Sequence, residues 1–264
     1  MRITSPDNPI VRRLRRLADS PRACREAGRT LAEGEHVIEC ALAARVPLVT
    51  LVTRGAPSGA AAALVERIAS GPSSGARTIE LPASLYDAVS PVEHGLGVLA
   101  EIEIPPDDAS PLLNEDAVFL DGVQDPGNVG TLLRTAVAAG VRRVIVGPGS
   151  AYPWSPKVLR AAMGAHFAMK IAENRAIAEV AKSFRGSVLA ADVEGADIYA
   201  GEWGRGATLW LFGSEGQGLG PEARRVATQR LRIPVASGVE SLNVAAAAAV
   251  CLFEQARRRR RFNP

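Results

Sequence analysis

The chain has 264 residues, 47% hydrophobic and 22% charged, with a formal net charge of +3 at pH 7: an ordinary globular composition with room for one large or two smaller cored domains. Its longest apolar run, residues 244–253, is about half of what a bilayer span needs, and the N-terminus lacks the apolar core of a signal peptide, so a cytoplasmic protein without a membrane partner is expected. Cys24, Cys40 and Cys251 fall in no paired or ligand spacing and His36, His94 and His166 are scattered, which excludes a disulfide framework and gives no metal site.

The positive charge is nearly all arginine, since Lys157, Lys170 and Lys182 are the only lysines among 31 basic residues, and the pI is about 9.0. Eight arginines fall within residues 1–30 against three acids, and residues 257–261 are all arginine. Arginine carries a planar fork of donors suited to phosphate. Clusters at both ends point to a polyanion partner, with a solvated helix face and a disordered tail as the alternatives.

In chain order, residues 8–17 predict a short helix whose Ile10, Leu14 and Leu17 lie on one side, leaving Arg12, Arg13, Arg15 and Arg16 for solvent or a partner. A helix over 33–43, a strand over 48–53, a helix over 60–68, a Gly/Ser/Pro stretch over 70–75 and strands over 77–81 and 97–104 complete a small α/β unit. Three prolines within 105–111 deny both helix and ladder their N–H groups and mark a boundary. Beyond it, strands at 117–123, 143–146, 167–171, 187–192, 209–212 and 230–235 alternate with helices at 129–139, 156–164, 176–184 and from 244. Strand runs without polar alternation, separated by helices, predict a parallel sheet covered on both faces, with its ligand crevice at the carboxyl ends of the strands. Gly122, Gly127, Gly213, Gly216 and Gly218 all follow strands, where that rule puts a ligand.

Three stretches carry candidate chemistry. In the first, Asn128 reads as a helix N-cap, and Arg134 is the one charged residue of the helix that follows; it serves either an ion pair with Asp121 or Asp125 or a phosphate or ribose clamp. In the second, Glu215 sits among glycines that let main chain approach a ligand, though a turn carboxylate explains it as well. In the third, Ser241 and Asn243 precede an alanine-rich helix and would serve equally as caps.

Together these stretches resemble the three sequence motifs of the SpoU/TrmH family of the SPOUT methyltransferases. The residues are Asp125-Pro126-Gly127-Asn128-Val129-Gly130 with Arg134, then Gly213-Ser214-Glu215-Gly216, then Ile233-Pro234 with Ser241-Leu242-Asn243-Val244. Ser155-Pro156-Lys157-Val158-Leu159-Arg160 and Met163-Gly164-Ala165 lie between the first two in the matching order. Ala162 and Ala245 depart from the family, which often has serine there. Residues 1–104 more loosely resemble the family's substrate-binding domain, similar to ribosomal protein L30e.

The resemblance implies an α/β chain in three parts: an L30e-like RNA substrate-binding domain over 1–104, a linker over 105–113, and a methyltransferase domain over 114–264 with a mostly parallel sheet and a deep trefoil knot. It implies a homodimer that uses S-adenosylmethionine, bent within the knot, to methylate a ribose 2′-hydroxyl of RNA without a metal. Backbone at Gly213, Ile233 and Leu242, with Ser241 nearby, would hold the cofactor; Asn128, Arg134, Glu215 and Asn243 would form the polar site. A guanidinium stays protonated, so Arg134 would anchor phosphate and stabilise the developing alkoxide, while Glu215 or a substrate phosphate takes the proton. The appended N-terminal domain favours ribosomal over transfer RNA; a non-catalytic ribosome-assembly factor of the same fold is the other alternative. A Rossmann oxidoreductase fails on pattern, because no GxGxxG or GxxxxGK[ST] occurs.

Overall fold

The computed structural model describes residues 1–71, 75–91 and 97–262, with side chains as far as residue 260. Part of the expected Gly/Ser/Pro stretch (72–74), His94 and the Arg261 side chain lie outside the described residues. Met1–Pro106 carries α1 (Pro9–Asp19), α2 (Pro21–Ala27), β1 (Arg29–Glu33), α3 (Glu35–Ala43), β2 (Leu48–Arg54), α4 (Gly59–Ser70), β3 (Arg77–Leu81), α5 (Ala83–Asp87) and β4 (Val98–Glu103). There follow β5 (Ala117–Asp121), α6 (Pro126–Ala138), β6 (Arg143–Val146), α7 (Pro156–Ala162), a 3-10 turn (Ala165–Ala168), β7 (Lys170–Glu173), α8 (Ile177–Ser183), β8 (Ser187–Asp197), β9 (Thr208–Gly213), α9 (Pro221–Val226), β10 (Gln229–Arg232) and α10 (Val244–Phe262). Among the described residues no helix is long and apolar enough to cross a membrane.

Two compact units result: Met1–Pro106 with Tyr152–Phe167, and Asp107–Ala151 with Ala168–Pro264. The first has a mixed sheet of order β1-β4-β2-β3, antiparallel at β1/β4 and β4/β2 and parallel at β2/β3. Asn8 caps α1 by accepting from the Ile10 N–H at 2.9 Å, and Pro9 occupies the first turn, where its missing N–H costs nothing. Ile10, Val11, Leu14 and Leu17 are buried, so the arginines of this helix divide by position. Arg13 donates to Glu101 at 2.8 Å, and that fully buried carboxylate also accepts from Thr50 Oγ1 at 2.9 Å and pairs with Arg29 at 3.3 Å. Arg16 pairs with Glu26 at 2.9 Å.

The segment 152–167, expected from chain order within the second domain, packs with the first unit. Thr30 Oγ1 donates to the Trp154 carbonyl at 2.6 Å, and a Cβ at Gly164 would come within 2.8 Å of Cys40. His166 is buried against Trp154 with Nε2 2.7 Å from the Pro153 carbonyl, and burial pushes its pKa down to about 4.

The second unit has a six-stranded sheet of order β10-β8-β9-β5-β6-β7 in which every pairing is parallel. Phe119, Leu209 and Leu211 on one face join Ile177 and Ala223 of α8 and α9. On the opposite face Trp210 donates from Nε1 to Gln255 of α10 at 2.6 Å, and α10 packs along α6. Burying side chains of this size contributes about 1.5–3 kcal/mol each, so both faces need their helices.

Several expected elements are corrected. Residues 29–33 are a strand, and Glu33 ends it in a buried position, accepting from Tyr86 Oη at 3.1 Å and Ser90 Oγ at 2.9 Å; α3 starts only at Glu35. The short helices α2, α5 and α9 were not expected, although Ser20-Pro21 starts α2 and Gly28 (φ 61°) stops it. The strand expected over 167–171 is split into a 3-10 turn and β7. The arginine run 257–261 continues α10 as helix instead of trailing as a tail.

Candidate active site

Parallel strands place their carboxyl ends together, and here Asp121 of β5 lies in register with Gly213 of β9. The chain after Gly213 turns back tightly: Ser214 and Gly218 exchange backbone hydrogen bonds at 3.0 Å, and a Cβ at Gly213 would fall 2.1 Å from the Gly218 carbonyl carbon. Gly218 itself has φ 65°, a left-handed conformation that side chains with a Cβ rarely adopt. Asp121 Oδ2 accepts from the Gly220 N–H at 2.7 Å and fastens this loop to β5. It is thus not the partner of Arg134.

The first stretch differs from its expected form in one residue. Asp125, not Asn128, caps α6: its Oδ1 accepts from the Asn128 N–H at 2.7 Å, with Pro126 in the first turn. The Asn128 side chain is thereby released for other contacts. Its Nδ2 donates to Glu215 Oε1 at 2.7 Å, and its Oδ1 accepts from Asn243 Nδ2 at 3.0 Å. Asn243 does cap, accepting at Oδ1 from the N–H groups of Ala245 (2.9 Å) and Ala246 (3.3 Å). Glu215, Asn128 and Asn243 therefore form one hydrogen-bonded chain joining all three stretches.

Burial alone would push the Glu215 carboxyl up. The hydrogen bond from Asn128, followed by those from the backbone of Glu215, Gln124 and Asp125, outweighs it and holds the carboxyl below its ordinary value. Such a carboxylate is a weak base, and its oxygens are already engaged by Asn128 and, at 3.4 Å, the Gln124 N–H.

Beside this chain lies a cleft of about 490 Å³, a size suited to a small-molecule ligand, lined by residues 212–219, 231–235 and 240–242 together with Asp192 and Arg224. Gly213, Ile233, Ser241, Leu242 and Glu215 all border it. Arg134 is not brought into the group. It lies on the exposed row of α6 formed by Gly127, Thr131, Arg134 and Ala138, spaced as one helical face, and no hydrogen bond or ion pair joins it to another described residue. An exposed guanidinium needs no buried partner, and of the two expected readings the ion pair with Asp121 or Asp125 is not formed. Asp192 and Arg224, which border the cleft, were not singled out from the sequence; the signal available was an acid near the carboxyl end of a parallel strand.

A sequence model of the SpoU rRNA Methylase family matches residues 116–253. An uncharacterized tRNA/rRNA methyltransferase of Synechocystis sp. is 33% identical over 265 aligned positions, covering 97% of this chain and 93% of that protein. The 23S rRNA (guanosine(2553)-2′-O)-methyltransferase RlmP of Bacillus subtilis is 28% identical, covering 84% of this chain and 86% of its own. Other rRNA methyltransferases are matched over only 42% and 59% of their length. Among solved structures, the AdoMet-bound rRNA methyltransferase from Sinorhizobium meliloti superposes with a TM-score of 0.86 at 30% identity, over 98% of both chains.

Proposed function

Because this chain belongs to the SpoU rRNA methylase family, we propose that it methylates a ribose 2′-hydroxyl of RNA with S-adenosylmethionine as donor, acting in the cytoplasm as a homodimer on 23S-type ribosomal RNA. The observation that carries the reading is the chain Glu215–Asn128–Asn243, which binds the three motif stretches to one another at the edge of a ligand-sized cleft. The choice of ribosomal RNA is supported by the 23S rRNA relative that aligns over 86% of its length.

The cleft fits the cofactor on its own terms. It is bordered by the glycine loop and by residues 231–235 and 240–242, and it holds one buried carboxylate oxygen, Asp192 Oδ2, without a hydrogen bond. Gly213, Ile233, Ser241 and Leu242 would hold the cofactor. When bound, S-adenosylmethionine supplies an electrophilic methyl on a sulfonium. The implied trefoil knot belongs to this proposal, as the arrangement that would set the loops before residue 220 and before residue 244 against one ligand.

The polar residues then have distinct work. Asn128, fixed on both sides by Glu215 and Asn243, presents a rigid amide beside the cleft and orients the ribose. Glu215 is the anchor of that amide; its lowered pKa makes a substrate phosphate or solvent the better acceptor for the hydroxyl proton. Arg134, solvent-facing and unpaired, is available to anchor a phosphate and to stabilise an alkoxide as its proton leaves. In the first unit Arg12 and Arg15 face solvent, and we assign RNA delivery to them, with Arg13 and Arg16 contributing less because Glu101 and Glu26 hold them. The homodimer is supported by Phe253, 51% exposed on the same face of α10 as exposed Ala246.

The test is ribose-methylation mapping of RNA incubated with the purified protein and S-adenosylmethionine. A single new 2′-O-methyl site in 23S-type RNA is expected. Methylation of transfer RNA alone would overturn the substrate assignment, and no methylation of any RNA in the presence of bound cofactor would favour the assembly-factor alternative.

A further inference from the structure

Asp192 lies where β8 leaves its ladder. The β8/β10 register jumps from Arg230↔Ala190 to Leu231↔Ala196, so the five residues 191–195 bow out of the pairing, and Asp192 turns into the cleft from this excursion. Its side chain is only 2% exposed. One oxygen, Oδ1, is used locally, accepting from the Glu194 N–H at 3.1 Å. The other, Oδ2, accepts no hydrogen bond, although Arg224 Nε lies 3.3 Å away and Arg230 Nη1 3.7 Å away as ion-pair partners.

A buried acceptor without a hydrogen bond is costly, so its persistence beside a cleft asks what donor arrives there. Arg224 pairs with this carboxylate, and Arg230, which donates to Glu194 at 3.3 Å, lies beside it, so Asp192 and Glu194 are already matched by two guanidiniums and no charge is left for a further cation to neutralise. An ammonium or sulfonium is therefore the wrong visitor, and a neutral hydroxyl is the right one. From this geometry we infer that Asp192 is a cofactor-binding residue whose Oδ2 accepts a hydrogen bond from a ribose hydroxyl of the adenosine moiety, with Arg224 and Arg230 holding the carboxylate in place. An acidic side chain just beyond the last residue that β8 pairs with β9, Ala190, is chemically suited to a ribose diol. The inference rests on the cofactor reading above and adds a buried acidic side chain to the residues assigned there.

The experiment is calorimetric titration of the full chain with S-adenosylhomocysteine and with its 2′,3′-dideoxyribose analogue. The wild type should prefer the intact ligand by about tenfold, the size of one hydrogen bond to a charged acceptor. Asp192→Ala should bind both ligands with the weaker affinity, so that its loss is confined to the intact one. Asp192→Asn, nearly isosteric, guards against a folding failure and should show a preference reduced several-fold. An unchanged preference in either variant overturns the inference, as does an equal loss for both ligands, which marks Asp192 as purely structural. Failure of the wild type to bind either ligand would instead bring down the cofactor reading, and this inference with it.

Discussion

The arginines of α1 and those at the end of α10 meet different surroundings. On α1, Arg13 and Arg16 are bound by Glu101 and Glu26, while Arg12 and Arg15 project from the helix without a hydrogen bond or ion pair among the described residues. On α10, Arg257 and Arg258 share Glu254; Arg258 also stacks over Trp203 and donates to the Ile198 and Gly201 carbonyls. Arg259 clasps Asp116, which in turn accepts from the Thr208 backbone at 2.9 Å and from Gln255. α1 leaves two guanidiniums unpaired among the described residues, whereas on α10 Arg257 is held within its own helix and Arg258 and Arg259 fasten that helix to segments outside it. The number of arginines in a segment therefore says less about phosphate binding than the number of carboxylates and carbonyls within reach.

If unpaired guanidiniums carry function and paired ones carry stability, substitutions should separate the two. The largest effect is expected at Arg134, unpaired on α6: Arg134→Ala should lower turnover about a thousandfold, roughly 4 kcal/mol of transition-state stabilisation, with S-adenosylhomocysteine affinity and melting temperature unchanged. Retained turnover would remove it from the reaction. Next comes the paired class. Asp116→Ala strands the Thr208 N–H, Gln255 and Arg259, and should cost about 2–3 kcal/mol in denaturant unfolding while leaving kcat nearly intact. A loss below ~0.5 kcal/mol would show that the α10 clasp is a surface ornament.

RNA affinity sharpens the comparison further. Replacing Arg12 and Arg15 together by alanine should weaken RNA binding about tenfold and flatten the logarithmic salt dependence by about two, whereas replacing Arg257 should change neither. The reverse result would exchange the roles of the two helices.

The smallest effect concerns Glu215. Its folded-state pKa lies below the ordinary 4.5, so its contribution to stability is present above that value and disappears as pH falls through the folded-state pKa. Wild type should melt on the order of 2 °C above Glu215→Gln at pH 7, and the two should converge well below pH 4.5. A gap that stays constant down to pH 3 would mean that the charge of Glu215 does not matter to the Asn128 lock.

The alternation of apolar strand runs with helices after residue 111 was enough to predict a parallel α/β sheet, because that pattern follows from strands buried on both faces. Gly213 was legible as a ligand neighbour because it follows a strand, whereas Ile233, Ser241 and Leu242 came only with the family resemblance; all four border one cleft. Local sequence failed where two local solutions compete. Asp125 and Asn128 are both good caps, and only the placement of Glu215 from a distant strand makes Asn128 more useful as a bridge. Likewise Glu33, expected to begin a helix, instead ends a strand because β4 offers it an antiparallel partner.

What the order of residues determined by itself was the periodicity of the elements, the glycine turns and the motif chemistry, all of which depend on neighbours a few positions apart. Pairing was decided only in three dimensions. Whether an arginine is free, whether an asparagine caps or bridges, and whether Asp192 Oδ2 meets a donor depend on groups up to 143 positions away, as for Arg259 and Asp116, and no local pattern records which of them will arrive.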